Sequence, residues 1–388
     1  MAQKHRPHRH AAQPDGAAPG SRDRPSLPGT GRKTHGRSRH KSRGRKLRYV
    51  AWGALGLVLA TGGGLAYAWQ HLDGNIASTD LDAALGGDRP AAQRGGAQNI
   101  LLLGSDSRAG THGAYGSGVA GARADTAMVL HVDKSHRKAS VVSIPRDTLV
   151  ERPACPKSGG GSAPGARQAM FNSSYAVGGP ACTVKTVEQM SGLRMDHYLE
   201  VDFKGFRKLV DELGGVDLTT RTAIKDHNSG LSLTAGKHRL DGEQSLALVR
   251  TRHGVGDGSD LGRIQLQQAF VKALIHRAHA VDPLGDPAQS YALADTATKS
   301  IRTDSELASA GKLLGLAKDL DGISPERTRM LTLPVTYDAR DAGRVLPLDK
   351  ASDQVWTALR HDRPVPADAT SSSVGDQGKT PLSSGGRA

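Results

Sequence analysis

The sequence predicts a mixed α/β domain held behind one membrane-spanning helix, and three observations carry that expectation. Short apolar runs recur, each stopping at a polar turn that carries an Asp, an Arg or both: Leu101-Leu102-Leu103-Gly104-Ser105-Asp106-Ser107-Arg108, then Arg123-Ala124-Asp125-Thr126, then Ser143-Ile144-Pro145-Arg146-Asp147. Segments with apolar residues at helical spacing alternate with these runs from Asn99 onward. Ahead of both lies a single uncharged run of twenty-one residues, Tyr49 to Trp69.

Residues 1–48 hold fourteen Lys/Arg against Asp15 and Asp23 and carry twelve of the chain's fourteen net positive charges. The remainder is nearly neutral, so the basic composition describes the tail and not the domain. Rich in Pro, Gly, Ser and His and poor in large apolar residues, the tail reads as disordered. It has no aromatic interleaving and no helix-turn-helix pattern, which argues against specific nucleic-acid reading. Its histidines (His5, His8, His10, His35, His40) belong to a solvated low-complexity stretch.

About 20 residues of helix cross a bilayer, and Tyr49, Trp52, Tyr67 and Trp69 sit where interfacial aromatic belts form. Gly62-Gly63-Gly64 weakens the helix but is tolerable in lipid. The competing reading is a cleaved signal peptide, since Ala66-Tyr67-Ala68 resembles its cleavage site. The length of the run and of the region before it favours an uncleaved anchor. The positive-inside rule then keeps the N-terminus cytoplasmic and exports the rest, making a single-pass protein of the cell membrane. Residues 70–97, rich in Ala, Gly and Asp, read as a spacer.

The domain is expected over 98–362. Asn99–Leu103, Ala127–Val132 and Ala139–Ile144 read as strands. Thr183–Ser191 and Phe203–Leu213 read as helices, the second stopped by Gly214-Gly215. Val216-Asp217-Leu218 opens another strand, and Asp260–Ala280 is a helix with an acidic start. A last stretch reads helix, strand (Arg329–Leu333), helix (Ser352–Leu359), and 363–388 reads as a disordered tail. The two cysteines, Cys155 and Cys182, both fall in the exported part, where an oxidising compartment favours one disulfide across a Gly/Pro-rich loop.

Chemistry concentrates at the polar turns. Carboxylates there suit a hard cation such as Mg²⁺, and arginines fork onto phosphate oxygens. Surface ion pairing is the bland alternative for any one turn, but three within fifty residues favour function. Arg250 and Arg252 lie two apart and would share a face at a strand end. Arg263 and Gln267 share a helix face at i, i+4. With Arg108, Arg123 and Arg146 these make six arginines, more than a phosphomonoester needs and suited to a pyrophosphate. There is no P-loop, and the glycine runs do not introduce helices in the Rossmann manner, which argues against a nucleotide.

In these pieces the chain resembles the LytR–CpsA–Psr family, enzymes that move a glycopolymer from a polyprenyl-pyrophosphate carrier onto peptidoglycan. The match continues through Phe171-Asn172-Ser173-Ser174-Tyr175, Val201-Asp202-Phe203, Arg250-Thr251-Arg252 and Asp260-Leu261-Gly262-Arg263-Ile264, in the family's order over roughly 99–280. The resemblance implies a mixed central sheet with helices on both faces and an apolar cleft for the lipid. It implies Mg²⁺, or Mn²⁺ in its place, on Asp106 and Asp125. Arg123, Arg146, Arg250, Arg252 and Arg263 would bind pyrophosphate, assisted by Gln267, and Arg108 joins them from the residue pattern. The implied partners are the lipid-linked glycan, peptidoglycan and the bilayer. Where the family often has Arg-Gln-Gln, this chain has Leu266-Gln267-Gln268, one basic side chain fewer. Asp125 and Asp147 are candidates for a general base. The same site would serve a lipid-pyrophosphate hydrolase, and a non-enzymatic membrane-tethered regulator is the third reading.

Overall fold

A computed structural model describes residues 62–93, 95–105, 124–157, 160–252, 260–280, 286–371, 373–374 and 382–384. Asp106, Arg108 and Arg123 lie outside these residues, as does 49–61 of the expected anchor. Among the described residues no helix is long and apolar enough to cross a membrane.

Seven strands form the central sheet: β1 (Ala77–Thr79), β2 (Gln98–Ser105), β3 (Ala124–Val132), β4 (Ala139–Ser143), β5 (His197–Asp202), β6 (Ile301–Asp304) and β7 (Thr328–Thr332). Their order across the sheet is β1-β6-β5-β2-β3-β4-β7. Neighbours β1/β6, β5/β2 and β4/β7 run parallel; β6/β5, β2/β3 and β3/β4 run antiparallel. The sheet is mixed, as expected.

Alternation along β2 shows why helices cover both faces. Leu101 and Leu103 point to one side, where they join Val129, Val142 and residues of α1 (Phe171–Ser191) and α7 (Asp349–Arg360), among them Val184, Val187, Val355, Trp356 and Leu359. Ile100 and Leu102 point to the other, against Leu313, Leu316 and Leu320 of α6 (Ala310–Asp321). Remaining helices are α2 (Phe203–Glu212), α3 (Gly242–Arg250), α4 (Asp260–His279) and α5 (Pro287–Ser300). A second apolar cluster joins α3 and α4 to a small sheet of Gly236–Leu240, Val216–Thr220 and Leu382–Ser384, through Leu218, Leu240, Leu248, Leu266 and Phe270. Leu266, the position where the family often has arginine, is therefore a fully buried core residue.

Helix α1 is kinked at Gly178 and Gly179, where Gly179 has a left-handed φ of 60° and Pro180 follows. A Cβ on Gly178 would lie 2.0 Å from the Pro156 carbonyl oxygen, so only glycine lets this loop approach the helix. There Cys155 and Cys182 are disulfide-bonded, with 5.3 Å between their Cα atoms.

Two expectations about the flanks are corrected. Residues 70–97 are not a spacer. They contribute β1 to the sheet edge and a short helix, Leu81–Leu85, with both leucines in the core. Arg89 then forks onto buried Glu188 (2.7 and 3.2 Å) and reaches the Met195 carbonyl at 2.8 Å. Nor are the described residues beyond 362 a free tail. Val365, Ala369 and Ser373 are buried, Ser373 Oγ accepts the Val335 N–H at 3.1 Å, and Leu382–Ser384 pairs with Val216–Thr220. In both stretches a few well-spaced apolar residues dock onto surfaces made elsewhere in the chain, which composition does not reveal.

Candidate active site

The topology explains how separated polar turns come together. Asp125 stands near the start of β3, not at a strand's carboxyl end as its motif implied. Because β3 runs antiparallel to β2 and β4, its start meets their ends: Gly104 pairs with Thr126, and Ser143 with Met128. The turn after β4 then delivers Arg146 and Asp147 beside Asp125.

Arg146 is held by three carboxylates. Its Nη1 donates to Asp125 Oδ1 at 2.8 Å and its Nε to Asp147 Oδ2 at 3.2 Å, and Asp260 Oδ1 lies 3.4 Å from the same Nε. Burial opposes the charged guanidinium, but Asp260, Asp147 and Asp125 outweigh it and raise the pKa. Asp260, the first residue of α4, also pairs with Arg263 one turn on. Burial pushes the Asp260 carboxyl up despite both arginines. Arg263 is only 3% exposed, and burial pulls its guanidinium down to about 10. It also donates to the Asp125 carbonyl at 3.2 Å, joining α4 to β3.

Beside this cluster lies a cavity of about 220 Å³. Arg250, Arg252, Arg263 and Gln267 line it with Asp125, Phe203 and the hairpin residues Asn228 and Ser229. Arg146 is not on the lining; it meets the cavity through its bond to Asp125. Arg250 and Arg252 do not occupy a strand end. Arg250 ends α3, Thr251 turns to extended backbone as its C-cap, and Arg252 follows. The Arg250 guanidinium lies 5.1 Å from the centre of the Phe203 ring. The Arg252 N–H donates to buried Asp226 at 2.9 Å, which fixes the backbone while the side chain faces the cavity. Burial, reinforced by repulsion from Arg146, lowers the Arg252 pKa.

Gln267 shares the cavity face of α4 with Arg263, as its spacing implied, but its Nε2 donates to the Val249 carbonyl at 2.9 Å. That bond ties α4 to α3. Gln268 does the same toward the sheet, reaching Ser143 Oγ at 3.0 Å and Thr332 Oγ1 at 3.3 Å.

Asp260, Phe203 and Asp226 are site residues that sequence reasoning did not select. Asp260 had a legible signal, since Asp-x-x-Arg places both side chains on one helix face. Phe203 lay within the matched Val201-Asp202-Phe203 without being given a role, and Asp226 had no signal, because it reaches the cavity from an unrelated element. Three guanidinium groups facing one small polar cavity, with Asp125 and Asp226 on the same lining, can take up a compact polyanion.

The LytR_cpsA_psr family profile matches residues 69–361. The chain is 31% identical over 349 residues to the cell wall biosynthesis protein LcpA of Corynebacterium glutamicum, which covers 81% of this chain and 66% of that protein. Thus this chain spans just under two-thirds of that relative's length. It is 30% identical over 324 residues to the polyisoprenyl-teichoic acid–peptidoglycan teichoic acid transferase TagT of Bacillus subtilis, covering 79% and 92%. Among solved structures, the LytR-Csp2A-Psr enzyme from Actinomyces oris shares the fold at a TM-score of 0.55 and 23% identity, covering 74% of this chain and 96% of that one. With its profile match running from the first described helix through α7, the chain belongs to the LytR–CpsA–Psr family.

Proposed function

We propose that this protein is a phosphotransferase that moves a glycopolymer from a polyprenyl-pyrophosphate carrier onto peptidoglycan, anchored in the cell membrane through 49–69 with its domain outside. The observation that carries this reading is the convergence of Arg250, Arg252 and Arg263 on one cavity beside Asp125. The names of its relatives, a cell wall biosynthesis protein and a teichoic acid transferase, support the same class of reaction.

In this mechanism the arginines bind the pyrophosphate and neutralise the charge that builds on the leaving phosphate. An acceptor hydroxyl oxygen forms a bond to the sugar-proximal phosphorus while the bridging P–O bond breaks. Polyprenyl phosphate leaves, a phosphodiester remains, and the hydroxyl proton passes to a carboxylate. Asp125 and Asp147 are the candidates, and both accept hydrogen bonds from Arg146. The donors on the described side of the cavity are hard oxygens, with Asp125 part-exposed there, which fits a divalent cation. Asp125 would hold Mg²⁺ or Mn²⁺ with Asp106 as the expected second ligand, and the ion would supply further charge neutralisation at the pyrophosphate.

The test is incubation of the protein with a labelled lipid-pyrophosphate glycan and peptidoglycan oligomers. Label should move to the glycan strand, and excess EDTA should stop it. Release of free sugar phosphate whatever the acceptor would make the protein a hydrolase. Full transfer in EDTA would remove the metal from the reaction.

A further inference from the structure

The end of the domain where helix 62–75 emerges exposes apolar and aromatic side chains from three separate elements. Residues 62–67 of that helix, Gly-Gly-Gly-Leu-Ala-Tyr, are all exposed and uncharged, with Leu65 at 73% and Tyr67 at 72%. Trp69 follows at 47%. Leu314 on α6 is 47% exposed and Tyr291 on α5 is 41% exposed.

The lower half of this helix is bolted to the domain. Asn75 Nδ2 donates to Asp295 Oδ1 at 3.0 Å and to Thr298 Oγ1 at 3.3 Å, and His71 Nε2 meets the same Asp295 oxygen at 3.1 Å. Asp73 Oδ1 accepts the Ala310 N–H at 2.7 Å, at the start of α6. A Cβ added to Gly311 would lie 3.7 Å from the Trp69 ring. These contacts step together. Going from Asn75 to His71 moves from Thr298 to Asp295 on α5, and one further turn reaches Tyr67 on one helix and Tyr291 on the other. Going from Asp73 to Trp69 moves from Ala310 to Gly311 on α6, and the next turn carries Leu314.

We propose that this end of the domain, with Tyr67, Trp69, Tyr291 and Leu314, seats in the interfacial layer of the bilayer, so that the domain is held against the membrane at a fixed angle. The occupant follows from what the chain supplies here: residues 49–61, uncharged in sequence, lead directly into the exposed turn at Gly62. Tyr and Trp, with an apolar body and a polar tip, are the side chains that favour a headgroup boundary. Exposed Lys312 on the same helix as Leu314 suits anionic headgroups. The proposal rests on the membrane anchor of the previous section.

The test is site-directed spin labelling of the full chain in vesicles of equal parts phosphatidylcholine and phosphatidylglycerol. Nitroxides go on Tyr291→Cys and Leu314→Cys, with Lys350→Cys on α7, across the sheet, as the aqueous control. The ratio of oxygen to water-soluble nickel accessibility should be several-fold higher at 291 and 314 than at 350. Ratios equal to the control, in protein that stays with the vesicles through an alkaline wash, would overturn the seating and leave the anchor standing. Protein released by that wash would overturn the anchor and the seating together. Labels shielded from both reagents, with spin–spin broadening that grows with protein density, would place a second copy on this face and overturn the lipid contact.

Discussion

Asp260 Oδ1 lies 3.4 Å from Arg146 Nε, and the same carboxylate pairs with Arg263 one helical turn further along α4. One buried carboxylate thus holds two guanidinium groups that arrive from different elements, one from the turn after β4 and one from a helix more than a hundred residues later.

Asp260→Asn keeps the shape of the side chain and removes its charge. Two arginines then share one anion fewer in a buried setting, and losing one member of such a cluster costs about 3 kcal/mol. Urea unfolding should show a loss of that size, and kcat/KM for transfer should fall roughly a hundredfold as the guanidinium groups lose their alignment. Wild-type values for both would show that Asp260 does not hold the site together.

Arg252→Ala tests the cavity more cleanly than the other arginines. Its backbone N–H keeps its bond to Asp226, so only the guanidinium is lost. Transition-state stabilisation should drop by roughly 2–4 kcal/mol, the range for one preorganised donor, with an unchanged unfolding midpoint. Arg146→Ala and Arg263→Ala should lose rate in the same range. They should lose stability as well: without Arg146, Asp125 loses its ion pair, and without Arg263, buried Asp260 keeps only its longer contact to Arg146. Arg263 is itself buried, so its loss is felt inside the packed site.

Reducing the Cys155–Cys182 disulfide should destabilise the domain by roughly 3.5 kcal/mol, the chain-entropy value for its 27-residue separation. Denaturant curves of wild type with and without reductant measure this directly. A Cys182→Ala variant should match the reduced protein and be indifferent to reductant.

His197 should make stability depend on pH in a defined direction. Burial opposes its charged form, but the hydrogen bond and charge of Asp304, 3.2 Å away, prevail and raise the pKa above the ordinary 6.5. The folded state therefore binds the proton more tightly than the unfolded chain. The stabilisation is complete below pH 6.5 and is lost as pH rises through the folded value. His131 acts oppositely: burial lowers its pKa, so its contribution is present above 6.5 and lost as pH falls. In His197→Gln, the stability deficit relative to wild type should be largest at pH 6 and shrink toward pH 8. A deficit constant across that range would show that folding does not shift the pKa of this ring.

The local elements were legible in proportion to their apolar patterning. β2, β3, β4 and α4 carry runs or helical spacings strong enough to declare themselves, and the structure places them within a few residues of where the sequence does. β1, β5 and β6 did not. They are short and interrupted by polar residues such as His197, Glu200 and Asp304, whose groups are satisfied only by partners in other elements. Asp304 caps the turn after β6 and accepts the Tyr198 N–H of β5, and Glu200 accepts from Ser105 and Tyr175.

Read alone, the sequence singled out the arginines that line the cavity, Arg250, Arg252 and Arg263, the disulfide partners and the helix face shared by Arg263 and Gln267. Each depends on spacing or on counting within the chain. Tertiary structure decided which groups act together. Antiparallel pairing brings the start of β3 to the ends of its neighbours, and α4 sets Asp260 between Arg146 and Arg263. The arginine that resemblance expects at 266 is replaced by a leucine that belongs to a core. Spacing reports only neighbours a few residues apart, whereas the balance of charge and burial around a guanidinium is set by whatever the fold packs against it.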